Sequence, residues 1–433
     1  MIYLALMLSA LLTLQQEDPR DLAGMTADDL AALTEKTTIA PTDTQFKKIL
    51  YRTGTVDPIV FRQWAQQHNI SLQQAVNDAG KYRFFPFSLE ADVTSVNRFD
   101  FSKEEAKDFL SGLYFAKCET SDGFQFVLAS RSSVSSWPRD GKLPEPQSIQ
   151  FNAFFLGNVA LDFGDQFSAD EIPVFVARRF AWHPQQQSES LNVDASQVAL
   201  SKAGVDISLL DVVKSRKGQP IGVREGACFW QMLSACKQSD MEVPPQRIEF
   251  ADMLRKPIDS VGKATSIRGR VRQCVPVKVT DAEVAKLLGT DTWYQLTVFP
   301  DLDGTPIKVG VRDGDPEVYR NAFPVTVCVV DLPAGFSADS IVGEVFFYDG
   351  FFYRIWSYPS ERTDNTKLDG QPSPLMMAVS LLKAESTVSQ LQTLLTAVLF
   401  AIAIAVAVLS WYGFKTRRRK KPSQELPEQI ELW

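Results

Sequence analysis

The chain has 433 residues, enough for two or three domains, and its 45% hydrophobic and 22% charged content excludes a largely disordered polymer. Its formal net charge is −7, and a basic run near the C-terminus holds six of the 45 lysines and arginines, so the rest is more acidic still. That balance argues against binding of a phosphate backbone, and no nucleic-acid partner is expected.

The first residues, Met1 to Leu14, form an apolar run too short to span a bilayer, and residues 1–16 read as an export signal. From 17 to 83 the patterning is helical. Met25-Thr-Ala-Asp-Asp-Leu30 puts a threonine and aspartates ahead of an apolar face, as helix starts prefer, and Phe46, Ile49 and Leu50 recur at helical spacing. Residues 84–184 read as a β unit. Leu113–Cys118 and Phe124–Leu128 flank Asp122-Gly123, a hairpin signal, with further strands at Ile149–Phe155 and Pro173–Ala177 and a short capped helix over 102–110. Residues 185–262 return to helix, over Val205–Val213 and Glu225–Lys237. Residues 263–359 are β again, most clearly at Val325–Val330 and Val345–Tyr348. The segment 360–393 reads as a polar linker followed by an amphipathic stalk, Leu375 to Leu391.

The two β units look like repeats. Each has a capped helix (Ser102-Lys-Glu-Glu-Ala; Thr280-Asp-Ala-Glu-Val), an aromatic strand (Leu113-Tyr-Phe; Trp293-Tyr294), an Asp-Gly turn (Asp122-Gly123; Asp303-Gly304) and a later arginine (Arg131; Arg312). Phe-Ser-Ala-Asp occurs at Phe167–Asp170 and Phe336–Asp339, and the closing stretches Arg179–Pro184 and Arg354–Pro359 are alike. Short strands with an internal helix are the content of an OB-like, partly open barrel. The expected fold class is α+β: two repeated OB-like small β-barrels with helical segments before each, and one C-terminal transmembrane helix.

That helix is Leu394 to Phe414, uncharged throughout and, at about 1.5 Å per residue, long enough to cross a hydrocarbon core about 30 Å thick. The block Lys415-Thr-Arg417-Arg418-Arg419-Lys420-Lys421 marks the cytoplasmic end, and Trp411 and Tyr412 sit where an interfacial pair belongs. The expected localisation is the cytoplasmic (inner) membrane, single-pass, with the N-terminus outside and 415–433 as a cytoplasmic tail. Small residues four apart at Ala401, Ala403, Ala405 and Ala407 would suit a homodimer through the span.

Chemistry is sparse. His68 and His183 are the only histidines, no Gly-x-Ser-x-Gly elbow is present, and zinc-ligand clusters and phosphate loops are missing. Five scattered cysteines (Cys118, Cys228, Cys236, Cys274, Cys328) read as small buried residues rather than a disulfide framework, with one interdomain bridge left open. No cofactor or metal is expected; the acidic turns at Asp301, Asp303, Asp313 and Asp315 are the best calcium candidate, but hairpin turns explain them equally. The aromatic-rich run Phe346–Trp356 offers a candidate binding surface: Phe351, Tyr353, Arg354 and Trp356, with Arg179 and Trp182 from the first unit. On OB folds, exposed aromatics stack on sugars or bases, and core packing is the competing reading.

The short signal, the two β units with Arg-x-Trp-like ends, Ser373-Pro-Leu375 and a single anchor with a basic stop resemble uncharacterised single-pass envelope proteins of planctomycete-type bacteria. The resemblance implies the topology and brings no activity with it. The function expected is a non-enzymatic, membrane-anchored, extracytoplasmic binding or scaffolding protein of the bacterial cell envelope. Its partners would be the lipid bilayer, through 394–414, and an envelope protein or glycan. The alternative is an exported hydrolase using barrel-loop carboxylates such as Asp301, Asp303 and Asp313.

Overall fold

In a computed structural model the described residues are 20, 23–56, 58–104, 112–216, 221–237, 241–300, 302, 306–309, 317–358, 371–384 and 387–417. The export signal, the helix over 102–110 beyond its first residues, Asp301, Asp303, Asp313, Asp315 and the tail beyond Arg417 lie outside them.

The N-terminal helices start where the sequence supplies caps. Thr26 accepts a hydrogen bond from the Asp29 amide while the Asp29 carboxylate accepts from Thr26, and α1 (Ala27–Thr34) follows. After the short strand β1 (Thr38–Ile39) come α2 (Thr44–Arg52), α3 (Pro58–His68), α4 (Leu72–Asn77) and α5 (Ala79–Tyr82). They are not a separate unit. Phe46, Ile49 and Phe61 share one apolar core with Phe115, Phe154 and Val176 of the β-sheet that follows. The Arg83 guanidinium donates to the carbonyls of Leu33 (3.0 Å) and Leu156, tying the end of α1 to the sheet.

That sheet is built from β2 (Pro86–Asp100), β3 (Gly112–Glu119), β4 (Gln125–Ser130), β5 (Asp140–Asp162), β6 (Ser168–Ala177) and the short β7 (Ala181–Trp182). The pairings run in a circuit: β2 with β3, β3 with β4 and β6 with β5 antiparallel, β4 with β6 parallel, and β5 back to β2 antiparallel. One strand can serve two neighbours because β5 is long and bends. Its ladder shifts between Phe155 and Gly157, and Gly157 adopts φ +101° at that bulge. Alternate residues feed different cores: Phe155 and Phe175 join one, Phe154 and Val176 the other.

Short helices follow: α6 (Ala195–Lys202), α7 (Leu210–Lys214), α8 (Gly226–Lys237), α9 (Phe250–Arg255) and α10 (Pro257–Ser260). The second sheet comprises β8 (Ala264–Lys278), β9 (Thr292–Pro300), β12 (Val325–Val329), β13 (Val345–Tyr358) and β14 (Gln371–Lys383), with α11 (Ala282–Leu288) between β8 and β9. A separate hairpin, β10 (Ile307–Val309) with β11 (Glu317–Tyr319), precedes β12. These five strands close into a barrel in the order β12-β14-β13-β8-β9, with β12 and β14 parallel. Taken in chain order, the first-to-second, second-to-third, third-to-fifth, fifth-to-fourth and fourth-to-first pairings match those of the first sheet. Gly350 is required where β13 meets β14, because a Cβ there would stand 2.0 Å from the Met377 carbonyl oxygen.

One expectation is corrected. The segment 371–383, read as the end of a linker and the start of a stalk, is the fifth strand of this closed barrel, so the second β unit extends past 359. Its apolar residues, Leu375 to Ala378, are buried because they close the barrel rather than one face of a helix. The chain to Leu382 is one compact unit whose main core runs from Phe155 through Met232 to Phe352. A second unit begins at Lys383 and consists, among the described residues, of α12 (Thr387–Arg417). Within it, the 19 residues Leu394–Tyr412 are long and apolar enough to cross a membrane, and side chains such as Phe400 (69%) and Leu409 (71%) are exposed.

Candidate functional site

The six residues singled out from the sequence do not form one surface. Phe351 and Tyr353 have no exposed area, Arg354 and Trp182 are buried, and Arg179 and Trp356 are half-buried. Both sides of β13 are covered at this point, so consecutive Phe351, Phe352 and Tyr353 all enter the core. The core-packing reading accounts for them. Trp356 donates from its indole nitrogen to Thr326 Oγ1 at 3.0 Å.

Both arginines are tied into polar networks with the helices between the sheets. Arg354 donates to both carboxylate oxygens of Glu225, Nε to Oε2 at 2.8 Å and Nη2 to Oε1 at 2.7 Å. Arg216 Nε lies 3.5 Å from Oε1, and the Tyr353 hydroxyl donates to Oε2 at 3.4 Å. Glu225 is placed by the turn Val223–Glu225, where its carboxylate also accepts from the Gly222 amide at 3.0 Å. A buried carboxylate held by two arginines and a hydroxyl is a rivet between the helical segment and β13. Burial pushes the Tyr353 hydroxyl pKa well up.

Arg179 plays a comparable part in the first sheet, paired to the buried Asp206. Asp206 also accepts from the Trp182 amide (2.9 Å), the Ser208 amide (3.0 Å) and the Ser208 hydroxyl (2.7 Å). The Trp182 indole donates to Gln147 Oε1 at 3.0 Å, which fixes the ring. Neither acid was singled out from the sequence, although Asp206-Ile-Ser208 and Gly222-Val-Arg-Glu225 are both recognisable capping patterns.

The fixed Trp182 ring forms part of the wall of a cavity of about 310 Å³ between the first sheet and the helices after it. Its lining mixes hydroxyls (Ser135, Ser136, Ser190), amides (Asn192, Gln197) and the Asp211–Lys214 pair with the apolar Val134, Leu191 and Ile207. The Ser135 amide donates to Asp211 Oδ2 at 3.0 Å, and Lys214 Nζ lies 3.8 Å from Oδ1. The cavity is neutral in sum and mixes polar with apolar lining.

A third feature is outward-facing. Along β8, Ile267, Gly269 and Val271 point in, while Arg268, Arg270 and Arg272 are exposed. Arg268 sits over the exposed Phe347 ring, 5.7 Å from its centroid. This is a cation-rich, partly aromatic face that the closed barrel offers to solvent.

The carboxylates of the hydrolase alternative, Asp301, Asp303 and Asp313, lie outside the described residues. Among the described carboxylates with a resolved shift, Asp29 and Asp291 both titrate below the usual range, the former through Lys48 and the latter through Thr292 and Lys278. All five cysteines are free thiols.

No family model matches the chain, and no curated protein matches it. Among solved structures, one that matches is described as "Structure and Conformational Change of a Replication Protein A Heterotrimer Bound to ssDNA". It is 9% identical over 71% of this chain and 51% of that one, with a TM-score of 0.17. The chain thus spans about half of that structure's chain, and a likeness this loose carries no argument.

Proposed function

We propose that this is a single-pass membrane protein of the bacterial cell envelope, of the planctomycete-type kind, whose larger unit is held outside the cytoplasm to bind an envelope protein or glycan. The observation that carries the reading is α12: a 19-residue apolar stretch with exposed side chains is unstable in water and stable in a bilayer. The basic residues from Lys415 onward support a cytoplasmic C-terminal end. The larger unit carries two OB-like β units derived from one another, a reading supported by their shared strand order and parallel closure. Such barrels bind ligands on the outer face of their strands and in adjoining loops, and the Arg268–Arg270–Arg272 face is the surface through which a macromolecular partner would be met. The protein acts by binding rather than by catalysis.

Cross-linking in intact membranes, followed by identification of what is captured, tests this. The reading expects one recurrent envelope protein or glycan attached to the larger unit, and it fails if captured species attach only to the cytoplasmic tail.

A further inference from the structure

From the lining of the cavity beside Trp182 we infer a binding site for a small, neutral, polyhydroxylated ligand: a monosaccharide-sized sugar, free or at the end of a glycan. The inference deepens the glycan side of the function proposed above and rests on it only for where such a sugar would come from.

The size and lining set the class. A volume of about 310 Å³ lies at the lower end of the range of about 300–1,000 Å³ that small-molecule sites occupy. Charge does not favour an ion, because the only carboxylate and the only ammonium in the lining stand 3.8 Å apart and offset each other. What remains is a set of groups that both donate and accept. The Gln197 side chain is nearly buried, and its oxygen is taken by the Asp194 amide at 3.0 Å, which leaves its NH₂ to donate. Asp211 holds the Ser135 amide on one oxygen and retains acceptor capacity on both. The same lining includes the apolar side chains of Trp182, Leu191 and Ile207. A sugar ring carries this same division, with C–H groups on its face and hydroxyls around its edge.

Two independent observations mark the site as built for contact. Ser136 is one of the lining residues, and its Oγ is buried with no hydrogen-bond partner, a condition native proteins rarely leave uncompensated. Asn192 lines the same cavity at φ +55°, a left-handed conformation uncommon outside glycine, held by the turn between Ser188 and Val193. Ser133 Oγ and the Trp137 indole nitrogen, on the same loop as Ser136, are likewise buried without partners.

The test is titration calorimetry on the full chain in a zwitterionic detergent with no sugar headgroup. The probes are glucose, galactose, mannose and N-acetylglucosamine, with glucuronate and glucosamine as charged comparators. At least one neutral sugar is expected to bind saturably and more tightly than either charged analogue. Asp211→Asn and Asn192→Gly are each expected to weaken it about tenfold, the equivalent of one hydrogen bond to a charged or well-placed group. Asn192→Gly keeps the left-handed turn. Ser136→Ala removes a hydroxyl the fold does not use, so a loss of affinity there reports ligand contact alone. Comparison of the sugar with its methyl glycoside separates the sources: equal affinity identifies a chain end, and loss on methylation identifies a free sugar. The inference is overturned if no neutral sugar binds, if a charged analogue binds best, or if none of the three variants changes the affinity. Such a failure leaves membrane anchoring untouched, since the titration uses no bilayer, whereas failed anchoring would show in fractionation and leave the titration unchanged.

Discussion

Arg354→Met removes one half of the Glu225 rivet while keeping an unbranched chain in place of the arginine's aliphatic stem. The Arg354 and Glu225 side chains are 3% and 0% exposed, so water cannot replace the lost partner. Glu225 would keep Arg216 Nε at 3.5 Å and the Tyr353 hydroxyl at 3.4 Å, neither of them bidentate. Deleting one partner of a buried pair costs about 3–5 kcal/mol, most of it the burden of the charge left behind. With an unfolding entropy of about 2.1 cal/mol/K per residue, a cooperative unit the size of Met1–Leu382 has roughly 0.8 kcal/mol/K, so the midpoint should fall by about 4–6 °C. The double variant Glu225→Leu/Arg354→Met removes both charges and should recover most of that loss, since an apolar replacement of a buried pair is often neutral. Scanning calorimetry on the full chain reads both values. A single-variant shift under about 1 °C, or a double variant no better than the single, would refute the claim that this pair is a buried strut.

Other perturbations probe separate parts of the account. Gly350→Ala should destabilise the protein by about 1–3 kcal/mol or more in denaturant unfolding, because the new Cβ collides with the Met377 backbone; an unchanged midpoint would argue against β14 as the closing strand. Burial pushes the thiols of Cys118, Cys228, Cys236 and Cys328 up, and that of half-exposed Cys274 to about 11. Maleimide at neutral pH should therefore label Cys274 slowly and the other four only after denaturation. Burial also lowers the His183 pKa below its ordinary value near 6.5. The folded state then binds fewer protons than the unfolded one, so this contribution is intact above about pH 6.5 and is lost as pH falls towards the folded pKa. Thermal midpoints should drop between pH 7.5 and 5, and His183→Gln should flatten that slope. At lower pH, the Lys48 ammonium holds the Asp29 carboxyl at about 2, so its contribution is complete above the ordinary value near 3.8 and disappears as pH falls towards 2. Lys48→Met should move the Asp29 carboxyl resonance titration up towards that ordinary value.

Local signals were legible where they act locally. Thr26 with Asp29, and Asp122-Gly123 between two aromatic strands, declare a helix start and a hairpin within a few residues, and α12 is written in one uninterrupted apolar run. The strand Gln371–Lys383 was not legible. Its two prolines and its run of leucine and methionine carry no alternation, and it is a strand because a parallel partner 49 residues earlier in the chain, Thr326 opposite Leu375, closes the barrel. Missing it displaced the comparison of the two β units. The aromatic second strands do occupy equivalent places, whereas Asp303-Gly304 lies outside the described residues. By contrast, Phe-Ser-Ala-Asp opens the fifth strand in one sheet, with only Phe167 ahead of it, and lies between the third and fourth strands in the other. Arg179 follows the fifth strand, whereas Arg354 is in the fourth. The aromatic run of β13 carries no mark of its surroundings either: Arg354 finds Glu225 129 residues away, and the cavity beside Trp182 gathers side chains from positions 134 to 214.

The most direct test of the membrane-anchored reading is protease accessibility in intact spheroplasts carrying the full chain with an epitope tag after Trp433. The account predicts that external protease digests the larger unit while the tag, behind α12, stays protected until detergent is added. A tag digested from outside with the larger unit protected, or a chain released by alkaline carbonate without detergent, would contradict it.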